Sequence, residues 1–214
     1  VLLCTSLFAS ENIFFEENKG QFFTTEGGSA NPDSVLYVLK TPALQVVLTS
    51  EGLNYSIYHL EDGEVPERYQ AAIEEQENDL FPQAADQLAD DLRDKKLEMY
   101  TIRMVLENAS IQKQNIEAQD IPAALNVFRG DNQYLNIVQS EDLLIKDVYP
   151  GIDWHLTFSE TNGFKHEFLS SAASDIAQIR QRYYADGQLE VNHTETKLDL
   201  LTPLGNISDC LLYT

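Results

Sequence analysis

The sequence predicts a mainly β fold, an antiparallel β-sandwich-like domain with one acidic helical insertion. Apolar and polar residues alternate in many short segments, so that each segment has one apolar and one polar face, as in a half-buried strand. Turn-forming residues separate these segments, which are rich in β-branched and aromatic side chains. Residues 64–96 differ, because they are rich in Glu, Asp, Gln, Ala and Leu and contain only Val65 and Ile73 as β-branched residues.

The composition indicates an acidic single domain. A chain of 214 residues, 43% of them hydrophobic, can bury a substantial core. Its formal net charge of −21 repels phosphate groups and anionic lipid. We therefore expect no nucleic-acid partner and no membrane insertion of the mature domain. Cys4 and Cys210 are too few for a disulfide framework, and no Cys or His spacing typical of a metal site occurs, so no metal and no cofactor is expected.

The N-terminus indicates export. Residues 1–10, VLLCTSLFAS, are apolar and small, like the end of a truncated signal peptide with cleavage near Ala9 or Ser10. The alternative is an ordinary first strand. If residues 1–10 are a signal peptide, residues 11–214 form a single all-β extracellular domain.

The first half of this domain is predicted to contain a meander. Ile13 to Phe15 is expected to form a short strand, followed by a turn at Asn18 to Gly20. Three strands are then predicted in close succession, at residues 34–40, 43–50 and 53–60.

The insertion at residues 64–96 is predicted to be helical, or else partly disordered. A weak apolar stripe recurs at helical spacing, and Pro82 would separate two helices. Its acidic residues most simply form a solvated face, and a partner-docking helix is the alternative. The stripe consists of Ala84, Ala85, Leu88, Ala89 and Leu92.

The strand pattern resumes after the insertion. Residues 97–106 alternate strictly, which places Tyr100, Ile102, Met104 and Leu106 on one face. Residues 108–122 are polar, and short extended segments are predicted at 125–130, 134–138 and 143–148. Beyond residue 170, the segment 175–184 is expected to start as a helical turn at Asp175 and to become a strand, and further strands are expected at 189–192, 197–201 and 206–212.

The stretch at residues 146–168 gives the clearest structural signal, that of a hairpin. Tyr149, Pro150 and Gly151 form a turn before it, and two alternating segments follow, with a loop of five residues at 159–163 between them. The two apolar faces coincide only if the pairing keeps them in phase. The predicted register does so by pairing Trp154 with Phe168, Leu156 with His166, and Phe158 with Phe164.

The hairpin also holds the candidate chemistry. In this register His155 faces Glu167, with Asp153 nearby, and such a group could transfer protons or bind a metal. A cross-strand pair of this kind is also ordinary sheet stabilisation, and the sequence offers no third ligand and no nucleophile motif. His166 lies on the apolar face and is expected to be a hydrogen-bonded core residue. We assign no catalytic, cofactor-binding or metal-binding residue.

Several motifs together resemble one family. These are ENKGQ at residues 17–21, NVFRG at 126–130 and VYPGID at 148–153, with further similarity at residues 35–58, 164–168 and 176–187. The chain resembles the N-terminal domain of large Bacteroidota cell-surface proteins, in which SBBP-type β-propeller repeats and a type IX secretion or gliding-motility sorting tail follow. The sequence departs from that pattern at Ser171 to Ser174 and at His166, where an aromatic Tyr is usual.

The resemblance implies an exported, surface-located all-β domain of unknown function, attached to a larger protein, and it supplies no catalytic residues. The leading hypothesis is therefore a non-catalytic extracellular or cell-surface module, structural or adhesive. Its partners would be the downstream domains of the same polypeptide and surface glycans or proteins. The alternatives are a carbohydrate-binding module of an exported polymer-degrading protein, and a hydrolase or metal site at His155, Asp153 and Glu167.

Overall fold

The computed structural model describes residues 13–22, 34–41, 43–60, 97–129, 132–159, 161–171, 174–185, 187–194 and 197–210. These residues form thirteen strands: β1 Phe15–Glu17, β2 Val35–Lys40, β3 Leu44–Thr49, β4 Gly52–Leu60, β5 Leu97–Leu106, β6 Ile116–Arg129, β7 Asn132–Tyr149, β8 Ile152–Ser159, β9 Gly163–Ser170, β10 Gln181–Ala185, β11 Glu190–His193, β12 Lys197–Thr202 and β13 Gly205–Cys210. Short 3₁₀ turns lie at Lys113–Asn115 and Ile176–Gln178. Among the helical segments of this part of the chain, none has the length and apolar character needed to cross a membrane.

The strands form two antiparallel sheets of unequal size. The larger has ten strands in the order β10-β5-β4-β3-β2-β1-β7-β8-β9, with β6 paired to β7, and the smaller has the order β11-β12-β13. The mainly β, antiparallel prediction is therefore confirmed, whereas the sandwich description stays a prediction. The predicted helical insertion, the segment 1–10 and Cys4 lie outside the described residues, as does the side chain of Cys210.

The ten-stranded sheet is strongly curled. Phe164 on β9 contacts Tyr55 on β4 and Phe15 on β1, with ring centroids 6.0 and 6.4 Å apart. In a flat sheet the six strand spacings from β9 to β4 would separate these two strands by roughly 29 Å. Curling therefore brings the late strand β9 over the first strands of the sheet.

The concave side of the sheet holds the main core. The alternation predicted for β5 is confirmed, since Tyr100, Ile102, Met104 and Leu106 are all buried. Trp154 is fully buried and stacks on Phe168 with the ring centroids 5.8 Å apart. The smaller sheet contributes Leu198 and Leu200 to the same core. Burial of each such side chain stabilises the fold by about 2 kcal/mol.

The predicted hairpin register is confirmed. Trp154 pairs with Phe168, Leu156 with His166, and Phe158 with Phe164. The loop is shorter than expected, because Ser159 also pairs with Gly163 and only residues 160–162 lie between them. Gly163 has a φ of 72°, which lets the chain turn directly into β9.

The lengths of β6 and β7 correct the sequence prediction. Instead of separate short segments, the structure has strands of 14 and 18 residues. Register shifts interrupt their pairing at Ala118/Asp120, Asp120/Ala124 and Leu125/Val127. A bulge changes which face a side chain occupies, so the alternation that identifies a strand is lost across these positions.

Candidate functional site

The outward side of β7, β8 and β9 carries the candidate site. Backbone pairing places Leu144, His155 and Glu167 in one row across the three strands, and Asp142, Thr157 and Lys165 in the next. Lys146 and Asp153 bind each other beyond the row of His155. This surface, named the polar face, comprises Asp142, Lys146, Asp153, His155, Lys165 and Glu167.

His155 lies between two carboxylates. Its Nδ1 is 3.3 Å from Oε1 of Glu167, and its Nε2 is 3.1 Å from Oδ2 of Asp142. The predicted pairing with Glu167 is thus confirmed. Asp142 was not among the predicted residues, because only the extension of β7 back to this residue brings it diagonally beside His155.

Asp153 is bound by groups other than His155. Lys146 donates a hydrogen bond from Nζ to Asp153 Oδ2, and the Asp147 N–H donates to Oδ1 at 2.8 Å. Burial opposes ionisation of Asp153, but these two hydrogen bonds outweigh it and keep its pKa below the usual value. Asp153 therefore holds the turn before the hairpin.

Glu167 is bound through both carboxylate oxygens. Lys165 donates to Oε2 at 3.0 Å, while Oε1 faces His155. The hydrogen bond from Lys165 is the main reason that the pKa of Glu167 is lowered; partial burial opposes it, and His155 adds to it.

This geometry favours cross-strand pairing over catalysis or metal binding. The ring nitrogens of His155 point to opposite sides, so Asp142 and Glu167 do not converge with the ring on one cation. Within the described ranges, no three His, Cys, Asp or Glu residues are placed to hold a metal ion. A doubly protonated imidazole can donate to both carboxylates, and each such half-exposed pair contributes about 0.2–1 kcal/mol.

The ENKGQ loop, residues 17–21, is a second polar network that the sequence did not reveal. Asn18 is 7% exposed, and its Nδ2 donates to the carbonyl oxygens of Val35 and Phe22 at 2.9 and 3.1 Å. Its Oδ1 accepts from the N–H groups of Gly20 and Phe22 at 3.0 and 3.1 Å. One buried amide side chain therefore satisfies four backbone groups.

Gln21 completes this loop. It is 2% exposed; its Nε2 donates to the Glu17 carbonyl and its Oε1 accepts from the Lys19 N–H, both at 2.7 Å. Lys19 in turn donates from Nζ to the Asn136 carbonyl on β7 at 2.6 Å. The motif thus joins β1 and β2 to β7.

A small cleft lies where β4, β9 and β10 meet the smaller sheet. Its volume of about 20 Å³ has room for one water molecule. His166 lines it, and the indole N–H of Trp154 donates to His166 Nδ1 at 3.2 Å. The predicted core role of His166 is confirmed. The other lining residues include Tyr55, Phe164, Tyr183, Leu198 and Leu200.

No curated protein and no solved structure matches the chain. A family model, described as a domain of unknown function and designated DUF7948, matches residues 15–214. This range contains the polar face, the ENKGQ loop and the hairpin, and it is most of the sequence. The chain therefore belongs to the DUF7948 family, a domain of unknown function.

Proposed function

We propose that this domain is a non-catalytic extracellular or cell-surface module, structural or adhesive, at the N-terminus of a larger exported protein. One observation carries the proposal: the candidate catalytic groups bind one another. Both ring nitrogens of His155 face carboxylates, and both oxygens of Glu167 are bound by neighbouring side chains.

A general base needs a lone pair directed at the substrate, and a general acid needs a proton directed there. On the polar face, those lone pairs and protons are directed along the sheet between β7, β8 and β9. The arrangement therefore supports a structural role for this sheet surface in preference to an active site.

The resemblance to Bacteroidota surface proteins supports a location at the cell surface. Together with the apolar segment 1–10 and the net charge of −21, it favours a secreted or surface-exposed domain. On this proposal SBBP-type propeller repeats and a type IX sorting tail would follow in the same polypeptide. The acidic segment 64–96 would be a helical insertion on a sandwich-like body.

Protease treatment of intact cells tests the location. Cells that make the whole protein are incubated with a protease that cannot enter, and this domain is followed with an antibody. We expect the domain to be digested while a cytoplasmic marker survives. Digestion only after the cells are lysed would contradict surface exposure.

Substitution of His155 tests the hydrolase and metal alternative. We expect His155→Ala to leave metal content and hydrolysis of a panel of glycoside, ester and peptide substrates unchanged. Thr157→Ala is the matched control, because Thr157 lies on the same face of the same strand. A loss of hydrolysis or bound metal in His155→Ala alone would overturn the non-catalytic proposal.

The carbohydrate-binding alternative requires a row of exposed aromatic rings. Of the described aromatic side chains, Phe128 and Tyr184 are strongly exposed, at 65% and 48%. They lie on β6 and β10, which are not neighbours in the sheet. Binding of the wild-type domain on a glycan array, lost on substitution of either ring, would favour this alternative.

A further inference from the structure

The end of the β6–β7 hairpin is a two-stranded ribbon with no further described strand beside it. β1 reaches β7 only at Gln139 and Ser140, and β8 pairs with it only from Asp142 onward. Residues 132–138 of β7 therefore pair, within the described ranges, only with residues 124–129 of β6. This ribbon, residues 124–129 and 132–138, is the arm. Its β6 edge faces no other described strand.

The two faces of the arm differ. Val127 and Tyr134 are half-buried on the face toward the ENKGQ loop, where the Tyr134 ring lies 3.5 Å from the position of a Cβ on Gly20. On the other face Phe128 is 65% exposed and Leu135 is 47% exposed. Phe128 pairs directly with Gln133. Gln133 and Leu135 are both exposed and Tyr134 between them is half-buried on the opposite face, so Phe128 and Leu135 are on one face.

The arm differs from the rest of the molecule in its net charge. The segment from 124 to 138 contains one cation and one anion, Arg129 and Asp131, and so carries no net charge, whereas the chain carries −21. Two copies of such an acidic chain repel each other over most of their surfaces. The arm is a surface on which they can approach without that repulsion.

The β6 edge can pair over only part of its length. Pro122 has no N–H to donate, and register shifts between Ala118 and Ala124 disrupt that part of the strand. Proline and bulges are the features by which natural edge strands avoid further pairing. They leave the outer part of β6, residues 125–129, as the section able to accept another strand, since the remaining shift, at Leu125/Val127, places its extra residue on β7.

We propose that the arm binds a second copy of this chain, with the outer part of β6 pairing antiparallel to the same segment of the other copy. A two-fold axis perpendicular to the ribbon makes one edge complementary to itself and keeps equivalent faces together. Phe128 and Leu135 of both copies then lie on one face of the shared ribbon. The contact goes beyond the proposed function, and it is tested on purified protein independently of location in the cell.

Sedimentation velocity of the purified full chain, over a range of concentrations and at low and high salt, tests the proposal. We expect a reversible monomer–dimer equilibrium that salt strengthens, because salt screens the repulsion between acidic chains. Phe128→Asp should raise the dimer Kd by about tenfold or more, as loss of an interfacial aromatic anchor does. Met99→Asp is the matched control, since Met99 is 61% exposed but lies on β5. Circular dichroism verifies that each variant is folded.

A wild-type chain that remains monomeric at every concentration in high salt would overturn the proposal. Equal weakening by Met99→Asp and Phe128→Asp would also overturn it, because the contact would not then be specific to the arm. A monomeric chain that binds a glycan through Phe128 would assign the arm to a carbohydrate and would likewise exclude the second copy.

Discussion

The ENKGQ loop and the polar face are both polar networks, but their surroundings differ. Asn18 and Gln21 are buried, and the hydrogen bond from Asn18 to the Val35 carbonyl is buried as well. The side chains of His155 and Asp142 on the polar face are 22% and 31% exposed. Water can replace a lost partner on the polar face, whereas a group orphaned inside the loop stays unsatisfied. The neutral amides should therefore matter more for stability than the charged residues do.

The largest expected effect is that of Asn18→Ala. The substitution removes four hydrogen bonds to the backbone, among them the buried one to the Val35 carbonyl. We expect the free energy of unfolding, measured by urea denaturation, to fall by about 3 kcal/mol. The control is Asn132→Ala, an exposed asparagine on β7, for which a change within about 0.5 kcal/mol is expected. Equal effects would remove the distinction between the two networks.

The next effect is a loss of stability at alkaline pH through Tyr37, which pairs with Glu17 beside the loop. Burial, with the charges of Glu17 and Asp120, raises the pKa of Tyr37 to about 12. A raised folded-state pKa stabilises the protein fully below the ordinary value near 10, and this contribution is lost as the pH rises toward 12.

We expect a loss of roughly 2 kcal/mol across that interval from this side chain. Tyr37→Phe should reduce the loss, as measured by denaturation at several pH values. Tyr184→Phe is the control, because Tyr184 is exposed. If Tyr37→Phe loses as much stability at alkaline pH as the wild type does, the loss is not due to Tyr37.

A smaller effect is expected on the polar face. His155→Ala should lower the free energy of unfolding by no more than about 1 kcal/mol, because the ion pairs are partly hydrated. In the same urea measurement, increasing salt should reduce the difference in the free energy of unfolding between the variant and the wild type. A loss as large as that of Asn18→Ala would show that the polar face is as critical as the buried loop.

The smallest effect is expected at acidic pH. Asp153 and Glu167 have lowered folded-state pKa values, so their stabilisation is complete above their ordinary values and is lost as the pH falls from about 4. Glu167→Gln should flatten the acid limb of the stability curve slightly. Glu141→Gln, at an exposed position on β7, is the control. A steeper acid limb in Glu167→Gln would refute this explanation.

The same contrast explains what the sequence could predict. The register of β8 and β9 was predictable because both strands alternate without interruption, and His155 and Glu167 followed from that register. Asp142 was not predictable, since the bulges around β7 obscure its continuity. The roles of Asn18 and Gln21 were also hidden, because a polar loop carries no sign of which amides become buried.

The position of β1 has a consequence for how the molecule folds. This strand pairs with β2 on one side and, on the other, with Gln139 and Ser140 of β7. Phe15 also contacts Phe164. The N-terminal meander therefore cannot complete its core until distant parts of the chain are available. Contacts so far apart in sequence slow folding, and we expect this domain to fold on the millisecond-to-second scale typical of such topologies. If the protein is exported as proposed, this requirement would keep the chain unfolded during transport until the later strands have also been transported.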